Sequence, residues 1–151
     1  RAAKLGCPWI IPPTMAFNDI AIRIDAYQQT IKTLGNEKVK GQPLIRELAI
    51  GRTKQEAFEV ARKPLLEKYE SYATWGQTDT KKERTLSDTF DEFCRDRFII
   101  GDEQEVVDEI LKYKESFGVD DLLVRVQWPG LGQGEVLKTL DHLAKIIATV
   151  S

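Results

Sequence analysis

Histidine occurs once in these 151 residues, methionine once and cysteine only twice. One imidazole, His142, and two thiols far apart in the chain, Cys7 and Cys94, fit no zinc or transition-metal spacing. They also leave no nucleophile, base and orienting group from which a hydrolytic triad could be built. Two buried thiols in a reducing compartment are expected rather than a disulfide. The longest apolar run, Trp9 to Pro13, is too short to span a bilayer, and Arg1 opens no signal-type segment. Neither sign of charge dominates: 22 basic against 24 acidic residues give a net charge of -2 and no basic field for nucleic acid. A cytoplasmic protein with neither nucleic acid nor membrane as partner is expected.

What is present suits one globular domain: 42% hydrophobic and 30% charged residues, in a chain long enough for a real core. Trp9-Ile10-Ile11 reads as a short strand stopped by Pro12-Pro13, which cannot donate to a ladder. Asn18 stands as N-cap of a helix striped by Ile20, Ile24, Tyr27, Ile31 and Leu34 and closed by Gly35. Leu44 to Ile50 reads as a strand, and Thr53 with Glu56 starts a helix striped by Ala57, Val60, Ala61, Leu65, Tyr69 and Tyr72. Pro64 inside that stripe predicts a kink or a break. Asn36 to Gln42 and Gly76 to Arg84 read as polar loops, the second as mobile. Leu86 to Phe93 forms a short helix and Phe98 to Gly101 a brief extended segment. Asp102 with Glu105 caps a helix ended by Gly118, Leu122 to Val126 is a strand, and Val136, Leu140, Leu143 and Ile147 stripe a final helix.

Strands alternating with helices predict a parallel sheet with helical crossovers. Three parallel strands cannot close a barrel, and as an open sheet they leave two edges unpaired. The chain is therefore expected to be a piece of a larger barrel or to pair with a second copy. Arg1 to Leu5, which reads as the tail of a helix and begins without Met, points the same way.

Four segments carry a family likeness: Arg1-Ala-Ala-Lys-Leu-Gly6 leading into Trp9-Ile-Ile-Pro-Pro13; Arg46-Glu47 followed by Gly51-Arg-Thr53-Lys-Gln-Glu56-Ala57; Arg97-Phe-Ile-Ile-Gly101-Asp-Glu-Gln-Glu105-Val; and Gly118-Val-Asp-Asp-Leu-Leu-Val-Arg-Val-Gln-Trp-Pro-Gly130. Over nearly its whole length the chain resembles the C-terminal part of the luciferase-like, flavin-dependent monooxygenases, which fold as (β/α)₈ barrels of TIM type. The resemblance implies one partial domain, residues 1–151, with Trp9–Ile11, Leu44–Ile50 and Leu122–Val126 as sixth, seventh and eighth strands. It implies reduced FMN, or a deazaflavin in a close variant, acting with O₂ on a small organic substrate, in a homodimer. The first five strands, absent here, would carry most flavin contacts, so the chain alone is expected to show no turnover. The alternative is a self-associating half-barrel that binds no flavin.

Ligands bind at the C-terminal ends of parallel strands, so Arg125, Gln127 and Trp128 stand where a flavin or substrate is expected. Glu47, on the neighbouring strand, is expected to pair with Arg125, either to orient it toward a ligand or simply to satisfy it. Arg46 takes that place if the register slips by one residue. Trp128 either stacks on an isoalloxazine ring or packs beneath a loop, and Pro13 and Thr14, after Pro12, shape the rim. Gly130, Gly132 and Gly134 form either a phosphate-binding turn or a flexible loop. His142 reads as a boundary residue beside the last helix's stripe.

Overall fold

A computed structural model describes residues 1–35, 41–76 and 85–150. The loop expected at Gly76–Arg84 lies outside the described residues except for Gly76, and most of the one at Asn36–Gln42 does too. A 3₁₀ turn, Ala3–Leu5, precedes α1 (Phe17–Thr33), β1 (Leu44–Ile50), α2 (Lys54–Thr74), α3 (Leu86–Arg95), β2 (Ile99–Gly101), α4 (Glu103–Phe117), β3 (Leu122–Arg125) and α5 (Gln133–Val150). The sheet order is β2-β1-β3, all parallel, so β1 is the central strand. The chain is thus α/β, three parallel strands with flanking helices.

β1 is buried on both sides because its residues alternate between two cores. Leu44, Leu48 and Ile50 join Ile20, Ile24, Val106, Ile110 and Ile146 in a core under α1, α4 and α5. Ala49, from the opposite face, joins Ala57, Ala61, Leu65, Tyr69, Phe90 and Trp128 under α2 and α3. Full burial of each large aliphatic side chain here contributes about 1.5–3 kcal/mol, so β1 is the strand least able to slip.

Helix signals in the sequence work largely as read. Thr53 accepts from the Glu56 N–H at 3.2 Å, Asp102 and Glu105 form a reciprocal capping box, and Gly118 closes α4 in the left-handed region. Thr85 and Asp88 add a second box at α3.

Six expectations are corrected. Trp9–Ile11 forms no strand: only Ile11 bridges to Leu44, because the prolines that follow remove the donors a ladder needs. The third strand is β2, from the segment expected to be merely extended. Ala16, not Asn18, precedes α1, and the Phe17 N–H donates to the Asp96 carbonyl at 3.1 Å, so a distant loop supplies the cap. Of the kink or break expected at Pro64, the break does not occur: α2 continues through it, with Ala61, Pro64 and Leu65 buried around the lost hydrogen bond. On α5 the buried face is Thr139 and Ile146 with Val136, Leu143 and Val150 partly covered, whereas Leu140 and Ile147 are exposed. Leu34, expected on the α1 stripe, is exposed as well.

Candidate functional site

Parallel pairing sets Glu47 directly opposite Arg125, and alternation turns Glu47 away from the core that holds Leu48 and Ile50. Its carboxylate is completely buried. A buried carboxylate costs several kcal/mol unless its lone pairs are taken, and here four donors take them. Oε1 accepts from Lys68 Nζ at 2.8 Å, from the Tyr69 hydroxyl at 2.7 Å and from Arg125 Nη2 in a closer contact. Oε2 accepts from Trp128 Nε1 at 2.6 Å. A carboxylate has about four such acceptor sites, so Glu47 is saturated.

The donors come from three places, α2, the end of β3 and the turn beyond it. Lys68 and Tyr69 are consecutive residues of α2; Tyr69 points fully into the core against Phe93 and Phe98, while Lys68 keeps a tenth of its side chain exposed. Trp128 follows β3 by three residues and is buried under the turn in which the Leu131 N–H donates to its carbonyl. Arg125 ends β3 with 35% of its side chain open to solvent. Burial, and then the charge of Glu47, push the Tyr69 phenol above its ordinary pKa. Burial pulls the Lys68 ammonium below its usual value against the opposing pull of Glu47.

Arg46 occupies the other face of β1, so the register expected for Glu47 holds. Its guanidinium is also fully buried, yet its partners are neutral: Nε donates to the Tyr113 hydroxyl at 3.1 Å, Nη1 to the Pro12 carbonyl at 3.0 Å and the Ile45 carbonyl at 3.1 Å, and Nη2 to the Met15 carbonyl at 3.2 Å. The Tyr113 ring lies 4.8 Å from its carbon. Desolvation lowers its pKa, and the Tyr113 contact works against that. Arg97 Nε adds a bond to the Thr14 carbonyl at 2.8 Å. Two arginines thus pin the Pro12–Met15 turn.

The structure therefore brings Glu47, Arg125 and Trp128 together and leaves Pro13 and Thr14 apart, half-buried on the β1 edge opposite β3. That separation follows from the ladder: the Ile45 N–H donates to Ile11 on one side of β1 and the Leu44 N–H to Asp121 on the other. Gln127 is exposed beyond the end of β3. Gly130 has φ +82° at the turn after Trp128, and the Gly132 carbonyl accepts from the Glu135 N–H at 3.0 Å to open α5. Lys68 and Tyr69 are the members that sequence reasoning missed. Tyr69 was visible as part of an apolar stripe, but nothing in the pattern pointed it or its neighbour at a carboxylate.

A cleft of about 320 Å³ lies elsewhere, at the C-terminal end of β1, lined by Gly51, Arg52, Glu56, Glu135, Lys138 and His142 among others. Its charges are already paired locally, Arg52 with Glu56 at 2.9 Å and Lys138 with Glu135 at 2.8 Å. His142 Nδ1 lies 2.6 Å from Glu103, which it holds below the usual carboxylate range, as suits a boundary histidine. Glu47 and Arg125 lie outside the cleft. No group of metal-ligating side chains occurs among the described residues, and no helix there is long and apolar enough to cross a membrane. Cys7 is exposed and Cys94 buried, both as free thiols, which corrects the expectation of two buried ones.

The chain shares its fold with part of several solved structures, and these structural neighbours are luciferase-like flavin monooxygenases. The monooxygenase RslO1 from Streptomyces bottropensis superposes with a TM-score of 0.77 at 15% identity, over 99% of this chain and 44% of that one. The oxygenating constituent of 3,6-diketocamphane monooxygenase from Pseudomonas putida, a type II Baeyer-Villiger monooxygenase in complex with FMN, gives 0.66 at 15% identity over 98% and 44%. Apo-MsnO8 gives 0.65 at 19% over 97% and 46%. The chain spans less than half the length of each of these three. No family model and no curated protein matches the sequence.

Proposed function

We propose that this chain is the C-terminal part of a luciferase-like (β/α)₈ barrel whose complete form is a flavin-dependent monooxygenase acting on a small organic substrate. The single observation that carries the reading is the Glu47 cluster at the C-terminal end of β3, in a fold shared with flavin monooxygenases over almost the whole chain. When bound, reduced flavin would supply the electrons that activate O₂, so the protein need only bind, orient and exclude water. The residues present fit that division of labour. They offer a preorganised cation, Arg125, held by a saturated buried carboxylate, and no side-chain nucleophile is required of them.

In this reading Arg125 and Gln127 face the flavin or substrate, Glu47 positions Arg125, and Trp128 supports Glu47 from below. Pro13 and Thr14 form the distant rim. FMN is the cofactor the reading favours, a deazaflavin being the variant; a cytoplasmic homodimer is the proposed setting. Most flavin contacts fall in the first five strands. Titration of this chain with FMN is expected to give no tight, stoichiometric binding, and the same titration of a polypeptide that supplies those strands is expected to give one site. Tight binding by the chain alone would overturn the division proposed here.

A self-associating half-barrel is the second reading, favoured by the exposed Leu123 on β3 and by Leu137, Leu140 and Ile147 on α5. Sedimentation of this chain tests the second reading, since a soluble monomer rules out edge-driven pairing.

A further inference from the structure

The Glu47 cluster holds more charge than it neutralises. Among the described residues Glu47 contributes one negative charge and Lys68 and Arg125 two positive ones; Glu47 and Arg125 are the charged groups that act on Lys68 and on Tyr69. The remaining members, Tyr69 and Trp128, are neutral donors.

Donor counting gives the same result. Every acceptor site of Glu47 is occupied, as described above. An ammonium has three N–H donors and a guanidinium five. Lys68 uses one on Glu47, with its Nζ also 5.6 Å and 5.7 Å from the ring centres of Tyr69 and Tyr72. Among the described residues Arg125 donates through Nη2 alone, to Glu47 and to the Tyr69 hydroxyl at 3.3 Å, and its Nε is buried with no acceptor there. Nε, being buried, is closed to an acceptor from solvent, and the donors that remain for one are the two N–H groups of Nη1.

We propose that the outward edge of Arg125, backed by the charge of Lys68, is a binding site for one oxyanion group, a carboxylate or a phosphate, carried by the ligand of this face. This rests on the reading that the end of β3 faces the ligand, and it narrows that ligand to one with an anionic end. Arg125 makes the contact through Nη1, a charged donor that forms a stronger hydrogen bond to an oxyanion than to a neutral acceptor. Lys68, nearly enclosed, supplies the unneutralised charge behind it. Glu47 prevents Arg125 from folding away and is a positioning residue.

The test uses this chain with no flavin present. Sodium octanoate and octan-1-ol, with the same tail and different heads, are titrated while the Arg125 Nε–H resonance is followed by NMR. Octanoate is expected to shift that resonance saturably, and octanol to bind at least about tenfold more weakly, as an anion-dependent contact requires. Arg125→Gln is expected to abolish the octanoate response and Lys68→Met to weaken it. Equal binding of octanoate and octanol, or an Arg125 Nε–H that does not move in the unmodified chain, would overturn the proposal without needing either variant to fold. Competition by FMN but not riboflavin assigns the site to a cofactor phosphate; competition by neither assigns it to a substrate carboxylate. Because octanoate binding is read without flavin, its failure leaves the flavin reading intact, and a failed FMN titration leaves the anion site intact.

Discussion

Glu47 and Arg125 face each other across the β1–β3 ladder, a carboxylate with no exposure against a guanidinium that keeps one edge in solvent. This asymmetry fixes which residue is structural and which is offered outward. Glu47→Gln would leave Lys68 and Arg125 without their counter-charge while keeping the shape. Loss of about 3–5 kcal/mol of stability is expected, as for other buried pairs deprived of one partner, and is measured by urea denaturation. A loss below about 1 kcal/mol would mean that the cluster is solvated like a surface pair.

Trp128→Phe keeps an aromatic ring under the turn and removes only the Nε1 donor to Glu47 Oε2. A hydrogen bond to a charged group contributes about 1.5–3 kcal/mol, so a destabilisation in that range is expected in the same denaturation assay. In a cycle with Glu47→Gln the two effects should be far from additive.

Arg46→Met places a side chain of comparable length in the opposite core but leaves the Pro12 and Met15 carbonyls without their donor. A loss of about 3 kcal/mol is expected from these stranded acceptors, with faster amide hydrogen exchange confined first to residues around the Pro12–Met15 turn. Uniform acceleration across the sheet would argue that Arg46 supports β1 itself.

Tyr69 gives stability a dependence on alkaline pH. Its folded pKa is raised by burial and by Glu47, so the folded chain keeps a proton that the unfolded chain begins to lose near pH 10, the ordinary tyrosine value. The contribution is fully present below about pH 10 and is lost as pH rises beyond it. Urea midpoints at about pH 8 and pH 10.5 should therefore fall less in Tyr69→Phe than in the unmodified chain.

The two thiols should react at different rates. Cys7 is exposed and Cys94 buried, and burial raises the Cys94 thiol well above its ordinary pKa, so little thiolate forms. A disulfide reagent at neutral pH is expected to label Cys7 at once and Cys94 only on unfolding. Rapid labelling of both in native buffer would contradict the packing of α3.

Much of the fold was legible where a local cause acts alone. Leu44–Ile50 shows its strand by composition, and Asp102, Glu105 and Gly118 bound α4 by capping chemistry within a few residues. The Glu47–Arg125 pair was also legible, since alternation and strand adjacency place both on one face. Illegible features were those with a distant partner. Asp96 caps α1 from a loop about eighty residues away in sequence, beyond any local capping signal. On α5 two apolar stripes overlap, and only the positions of β1 and α4 decide that Thr139 and Ile146 are buried while Leu140 and Ile147 are not.

The sequence by itself determined that β1 carries a carboxylate, that β3 carries an arginine near its C-terminal end and that the strands run parallel, because side-chain alternation and crossover length are properties of the local chain. Tertiary structure alone decided that Lys68 and Tyr69 close on that carboxylate and that Trp128 lies beneath it. Desolvation enforces this arrangement: a buried charge must collect its donors from whichever elements packing brings near, and no spacing along the chain records which those are.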